Sequence, residues 1–210
     1  MQLVVFGATG RTGRHVVNIA LEKGYQVTAI VRNPAAVSAK HPNLQVVQGN
    51  LMQPASFGAH MQGKHAVISC IGSDSLKPTT LYSQGIQNIL AGMEPAGVKR
   101  VMAMSASAVV VSPKMNLLLR FFTKYILQRI LKNPYTDTRL MEKILQHSNT
   151  NWTIARPPRL TNKTATGRYR YAINSFLEKC LSITREDLAR FMVDNLTNPE
   201  TYCGIIEVAN

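Results

Sequence analysis

Leu3-Val4-Val5-Phe6-Gly7-Ala8-Thr9-Gly10-Arg11-Thr12-Gly13-Arg14-His15-Val16-Val17-Asn18-Ile19-Ala20-Leu21 stands near the start of the chain and decides its fold. An apolar run leads into three glycines spaced G-x-x-G-x-x-G, and an amphipathic segment follows. The pattern predicts strand, tight turn and helix. Gly7 permits the turn, Gly10 lets backbone come close to a pyrophosphate, and Gly13 lets the helix pack on the strand. An anion held there meets free N–H groups at the positive end of a helix. The spacing is not the G-x-G-x-x-G of many dehydrogenases, so the strand before it and the helix after it carry the reading.

The next apolar run, Gln26-Val27-Thr28-Ala29-Ile30-Val31, ends in Arg32-Asn33-Pro34. A dinucleotide-binding unit that takes NAD places Asp or Glu there for the ribose 2′-hydroxyl. Arg32 offers instead a guanidinium matched in charge and fork geometry to a 2′-phosphate. The residues therefore predict NADP(H), with NADPH as the cofactor.

Length and charge narrow the rest. The 210 residues are 45% hydrophobic and 17% charged, which suits one domain. No apolar run reaches the roughly 18 residues needed to span a bilayer. The strand at the N-terminus leaves no room for a signal peptide. Cys70, Cys180 and Cys203 lack metal-like spacing, and a reducing cytoplasm is expected. The five histidines are scattered, and no metal is expected. The net charge is +13, concentrated between residues 114 and 185, where fourteen Lys or Arg face three Asp or Glu. That excess implies an anionic partner. No nucleic-acid motif accompanies it, so cofactor phosphates and an anionic small-molecule acceptor are the expected partners.

Apolar runs alternate with helix-like segments. Strands are expected at 2–6, 26–31, 44–48, 65–71, 99–104 and 151–156, and helices at 11–23, 79–93, 135–148 and 185–197. Residues 203–208 supply one more strand, placed at an edge. The alternation predicts an α/β, single-domain, doubly wound parallel sheet covered on both faces. Ligands bind such sheets at the carboxyl ends of the strands. Gly49-Asn50-Leu51, Cys70-Ile71-Gly72-Ser73, Met104-Ser105-Ala106-Ser107 and Arg156-Pro157-Pro158-Arg159 are the turns expected on that rim.

Gly7–Gly13, Val31-Arg32, Gly49-Asn50, Lys77-Pro78-Thr79-Thr80 and Ile183-Thr184-Arg185-Glu186-Asp187-Leu188 resemble the atypical short-chain dehydrogenase/reductases. The likeness is to the biliverdin-IX-beta/flavin reductases and the NmrA-like NAD(P)-binding proteins, and runs nearly end to end. It implies a Rossmann fold, NADPH as hydride donor, and a flavin or tetrapyrrole as acceptor. Carried over residue by residue, Gly7, Thr9, Gly10, Arg11, Thr12 and Gly13 form the phosphate turn. Arg32 takes the 2′-phosphate, and Asn50 stands where the family has Asp beside the adenine. Leu51, Ile71 and Gly72 border the adenosine half. Ser105 or Ser107 matches the serine near the nicotinamide, and Pro157-Pro158 a family Pro-Pro. Arg159 and Thr138 stand where the reductases place histidines, which counts against biliverdin itself.

The chain has no Tyr-x-x-x-Lys pair for carbonyl reduction; Tyr125 and Tyr135 are each followed at that spacing by arginine. Tyr135 remains a candidate proton donor. Flavin reduction asks only for stacking and alignment, with Ser105 or Ser107 orienting the nicotinamide and Arg159 holding an anionic acceptor group. Two readings follow: an NADPH-dependent reductase of a flavin, tetrapyrrole, quinone or similar acceptor, and a non-catalytic NADP(H)-binding regulator of the NmrA-like kind. A nucleotide-sugar epimerase is a weaker third. Residues 113–133 read as a helical insertion with too many apolar residues for one buried face and several cations without an acid. It is a lid over the acceptor, a homodimer contact or a membrane-surface helix, and the protein is a monomer or homodimer accordingly.

Overall fold

The computed structural model describes all of residues 1–210. Its first strand, β1 (Gln2–Phe6), is apolar on both faces. Leu3 and Val5 enter one core, and Val4 and Phe6 enter another on the opposite side. A strand covered on both sides belongs to a sheet with helices on each face.

The elements follow as α1 (Gly13–Glu22), β2 (Gln26–Val31), β3 (Leu44–Gln48), β4 (Ala66–Ser69), α2 (Leu81–Met93) and β5 (Arg100–Met104). A helical insertion comes next: α3 (Leu117–Phe121), a π-helical stretch (Phe122–Leu127) and α4 (Gln128–Ile130). The chain continues through α5 (Lys132–Gln146), β6 (Asn151–Arg156), β7 (Arg159–Thr161), β8 (Arg170–Ile173), β9 (Ser182–Thr184), α6 (Arg185–Asp194) and β10 (Gly204–Ala209). The main sheet runs β3-β2-β1-β4-β5-β6-β10-β8, and β7 pairs with β9 in a small second sheet. All main-sheet pairings are parallel except β10 with β8. This is a single-domain Rossmann-like fold. The first core lies under α1 and α6, and the second under α2 and α5.

Two expectations need correction. The strand near the C-terminus is not at an edge: β10 lies between β6 and β8. The edge belongs to β8, whose Arg-Tyr-Ala-Ile is exposed to half-buried. An edge strand with one wet face gives a weak apolar signal, so its sequence did not announce it. Helix α1 also starts at Gly13 rather than Arg11, leaving Arg11 and Thr12 in the turn.

Side-chain caps hold the starts of α2 and α6. The carboxylate of Asp137, on α5, accepts from the N–H groups of Tyr82 and Ser83 at 2.8 and 3.2 Å, and from the Ser83 hydroxyl. A residue 55 positions away thus caps α2. Helix α6 caps itself. Thr184 Oγ1 accepts from Asp187 N–H at 3.0 Å and donates to Asp187 Oδ2 at 2.9 Å. The same carboxylate gathers Thr166 N–H, Gly167 N–H and Asn210 Nδ2. Burial pushes the Asp187 carboxyl up, but hydrogen bonds from Thr166, Asn210 and Thr184 outweigh it and hold the group below the ordinary aspartate range.

A group with a lowered folded-state pKa contributes stability that is complete above its unfolded pKa, about 4, and disappears as pH falls below it. Asp187→Asn is therefore expected to flatten the acid limb of a stability–pH profile below about pH 4, measured by urea unfolding across pH. An unchanged acid limb would remove Asp187 from the account.

Candidate cofactor and active site

The turn after β1 is closed by Gly10 N–H donating to Gly7 O at 2.9 Å, with Arg14 N–H donating to Gly10 O at 3.0 Å. Arg14 Nε donates to Thr9 O at 3.0 Å and fixes the outer side. The N–H groups of Arg11 and Thr12 have no protein acceptor and are free for an anion. Gly7 has φ of +76°, and a Cβ there would sit 2.7 Å from Cys70 O. A Cβ on Gly13 would sit 2.1 Å from Gly7 O. No side chain fits at either place, so strand, turn and helix meet backbone to backbone.

That turn forms the floor of a cleft of about 550 Å³. The cleft crosses the carboxyl ends of β2, β1, β4 and β5, from Ile30, Val31 and Arg32 at one end to Met104 at the other. It lies where the strand order reverses about β1. Gly7, Thr9, Gly10, Arg11, Thr12, Arg32, Asn50, Leu51, Ile71 and Gly72 all line it. Gly13 lies behind the lining and serves the close packing just described.

Sequence reading gave no site role to several lining residues: Asp74, Leu81, Tyr82, Leu160 and Arg185. Arg185 is the most consequential. Its Nη1 donates to Thr12 Oγ1 at 3.4 Å, and its Nε is held by Asn162 Oδ1 at 2.8 Å. Burial, then the nearby Arg11 guanidinium, lowers its pKa. Two guanidiniums thus converge beside uncommitted N–H groups, and an anion between them relieves the repulsion. Arg11 also pairs with exposed Asp74 at 3.1 Å, a surface contact worth little by itself. Arg32 is exposed at the far end and makes no ion pair or side-chain hydrogen bond. The advance signal for Arg185 was its place in Ile183–Leu188, a stretch that carries the family resemblance, and nothing there paired it with Thr12, 173 residues earlier.

At the ends of strands five and six Met104 lines the cleft, but Ser105, Ser107, Pro157, Pro158 and Arg159 fall outside its lining. Ser105 is buried, and its hydroxyl donates to Glu142 Oε1 at 2.6 Å. Glu142 also accepts from Arg156 Nε at 2.8 Å and Nη2 at 2.5 Å, a bidentate pair inside the protein. Ser107 is buried, and its N–H donates to Pro157 O at 2.8 Å, tying the two strand ends together. Pro158 is half-buried and Arg159 exposed on β7. Tyr135 is half-buried on α5; burial raises its pKa, so the phenol keeps its proton. Thr138, on the same helix, donates to Pro134 O at 2.8 Å and is buried. Tyr82 reaches the cleft with its phenol oxygen accepting from Ser73 N–H at 3.0 Å, and burial raises its pKa too.

Residues 7–199 match the family described as NAD(P)H-binding. The chain belongs to that family. The uncommitted N–H groups at Arg11 and Thr12, the convergent Arg11 and Arg185, and the open cleft at the strand ends fit such a cofactor. Among curated proteins, the chain is 30% identical over 161 residues to the photosystem II assembly factor Ycf39 of Cyanophora paradoxa, covering 73% of this chain. It spans only 44% of that relative's length. Among solved structures, the oxidoreductase ylbE from Lactococcus lactis superposes with a TM-score of 0.81 at 22% identity, covering 100% of this chain and 91% of the other. ChuY, an anaerobillin reductase from Escherichia coli O157:H7, superposes with a TM-score of 0.78 at 20% identity, covering 100% and 97%. At these identities the structural likeness is one of fold.

The buried network yields a prediction. Glu142→Ala leaves the Arg156 guanidinium buried without its carboxylate and is expected to cost about 3–5 kcal/mol. Ser105→Ala removes one hydrogen bond to that carboxylate and is expected to cost about 1–2 kcal/mol. Denaturant unfolding of both variants checks the order; equal losses would show that the network is not what holds the β5 and β6 ends.

Proposed function

We propose that this protein is an NADPH-dependent reductase that passes hydride to a flavin, tetrapyrrole, quinone or similar conjugated acceptor. One observation carries the reading: a cleft with guanidiniums at its phosphate half and Leu81, Tyr82, Met104 and Leu160 at the other, its one carboxylate, Asp74, being paired with Arg11. Burial keeps the Tyr82 phenol protonated. Such a site suits an acceptor that needs alignment and exclusion of water more than proton transfer from the protein.

Bound NADPH supplies the hydride. The protein's residues hold and orient. Gly7, Thr9 and Gly10 shape the turn around the pyrophosphate, Arg11 and Thr12 offer it their backbone N–H groups, and Arg11 and Arg185 balance its charge. Arg32 takes the 2′-phosphate in a fork-to-anion contact. Asn50, Leu51, Ile71 and Gly72 bound the adenosine half. Pro157 and Pro158 follow β6 and shape the nicotinamide rim. Ser105 lies behind the cleft lining with its proton given to Glu142, and it positions the end of β5 beside the nicotinamide rim. Ser107 stands beside it. Arg159, exposed past the rim, holds an anionic group of the acceptor. Tyr135 keeps its proton and is the candidate donor should the acceptor need one. A reducing cytoplasm is the expected setting, consistent with three free cysteines, two of them pushed up to about 12 by burial.

The second reading, an NADP(H)-binding regulator without turnover, is favoured by the likeness to a protein named as an assembly factor. NADPH oxidation by the purified protein with FMN, riboflavin, biliverdin and quinones separates the two. Saturable turnover is expected, with Arg32→Ala weakening NADPH by about 10- to 100-fold, roughly 1.4–2.7 kcal/mol, and leaving NADH unchanged. Tight NADPH binding without oxidation by any acceptor would overturn the reductase.

A further inference from the structure

The insertion between β5 and α5 is wound so that it turns its apolar residues outward. Its inward row is Met115, Leu119, Thr123, Leu127 and Leu131, spaced by four, all buried or half-buried. A four-residue repeat is longer than the 3.6-residue α-turn, and the π-helical stretch Phe122–Leu127 takes up the difference. The remaining rows face out. Leu118, Phe122, Ile126 and Ile130 make one, and Leu117, Phe121 and Tyr125 make the next. Leu117 and Leu118 are 83% and 80% exposed, and the other five 41–57%. Arg120 and Lys124 run along the flank, with Lys114, Arg129 and Lys132 at the ends. Lys124 Nζ stands 5.1 Å from the Tyr125 ring centre, a cation at the margin of an aromatic surface.

We propose that this helix seats the protein on an anionic phospholipid bilayer, lying in the interface with its two apolar rows among the acyl chains and its cations on the headgroups. The proposal goes beyond the reductase reading and does not depend on it. Charge selects the bilayer over the other occupants. No Asp or Glu occurs from residue 113 to residue 136, so pairing this face with a second copy sets cation against cation. No residue of the insertion lines the cofactor cleft, so the helix does not cover it. No helix is long and apolar enough to cross a membrane, which leaves the surface as the place for this apolar area. Gln128 Nε2 donates to Ala108 O at 2.9 Å, so the helix is anchored to the loop after β5, and Asn133 at the start of α5 ties the next turn to Leu76 O at 2.9 Å in the loop after β4, on the cleft side of the sheet.

The test is flotation of the full chain with vesicles of phosphatidylcholine alone and of phosphatidylcholine with phosphatidylglycerol, with size-exclusion light scattering alongside. Binding at least about tenfold tighter to the anionic vesicles, weakened by added salt, is expected. Leu118→Glu with Phe122→Glu is expected to lower binding by more than about tenfold, as is Arg120→Gln with Lys124→Gln. Circular dichroism and melting of the four-site set guard against misfolding, since all four side chains are exposed. Lys40→Gln with Lys99→Gln removes as much charge elsewhere and is expected to change binding by less than about twofold. Three results overturn the proposal: no binding to either vesicle; binding that the Lys40/Lys99 pair reduces as much as the Arg120/Lys124 pair; or a dimer that Leu118→Glu with Phe122→Glu splits while vesicle binding is absent.

Discussion

The structure hangs on a place where there is no room for a side chain. Gly7 carries the chain from β1 past the Cys70 carbonyl, and Gly13 brings the start of α1 against the Gly7 carbonyl, with implied Cβ distances of 2.7 and 2.1 Å. Both contacts are with backbone, which cannot swing aside as a long side chain can. Because β1 and α1 meet so closely, the turn between them lies flat across the strand ends. Its free N–H groups then face a cleft instead of filling it. The parallel order about β1 brings β2 and β4 to either side, so Arg32 and Ile71 stand at opposite walls of one groove.

Helix α5 does for the other half of the molecule what the glycines do for the first. Its inward face carries two acids, Asp137 and Glu142, both buried. Asp137 caps α2 and so fixes Leu81 and Tyr82 in the cleft wall. Glu142 holds Ser105 at the end of β5 and Arg156 at the end of β6. Buried carboxylates are costly unless their lone pairs are filled. Here each is satisfied by donors from other elements, so the cost is offset only when sheet, α2 and α5 are assembled together. The result is a rigid rim beside an adaptable surface, the apolar and basic insertion. The π-helical stretch keeps that insertion's inward row in register with the body while the outer rows remain free.

Much was legible from local pattern. Residues 2–6, 26–31, 44–48 and 151–156 read as strands from their apolar runs and are strands with those limits. β1, β2 and β6 are buried along most of their length and read as apolar runs, and edge strand β3 is still marked by Leu44, Val46 and Val47 despite its exposed glutamines. Ten of the residues expected around the cofactor line one cleft, because a glycine turn and the residues just after β2, β3 and β4 come together at the strand ends. Strand β8 was illegible because its exposed Arg-Tyr-Ala-Ile has no continuous apolar run, and α1 begins two residues later than expected because Arg11 and Thr12 belong to the turn that Gly7 and Gly10 close.

By itself, then, the sequence determined what near neighbours in the chain decide: the strand–turn–helix, the parallel alternation, and a guanidinium where an acid would select NAD. Those depend on steric room and on spacing, both of which are written in consecutive residues. Only the tertiary structure decided which distant groups meet. Arg185 reaches Thr12, Asp137 caps α2, and Glu142 takes the Ser105 proton and the Arg156 guanidinium. Likewise it decided which rows of the insertion face out. Such pairings are fixed by how helices settle on a twisted sheet, and the charge or polarity of a single residue does not reveal the partner that packing will bring to it.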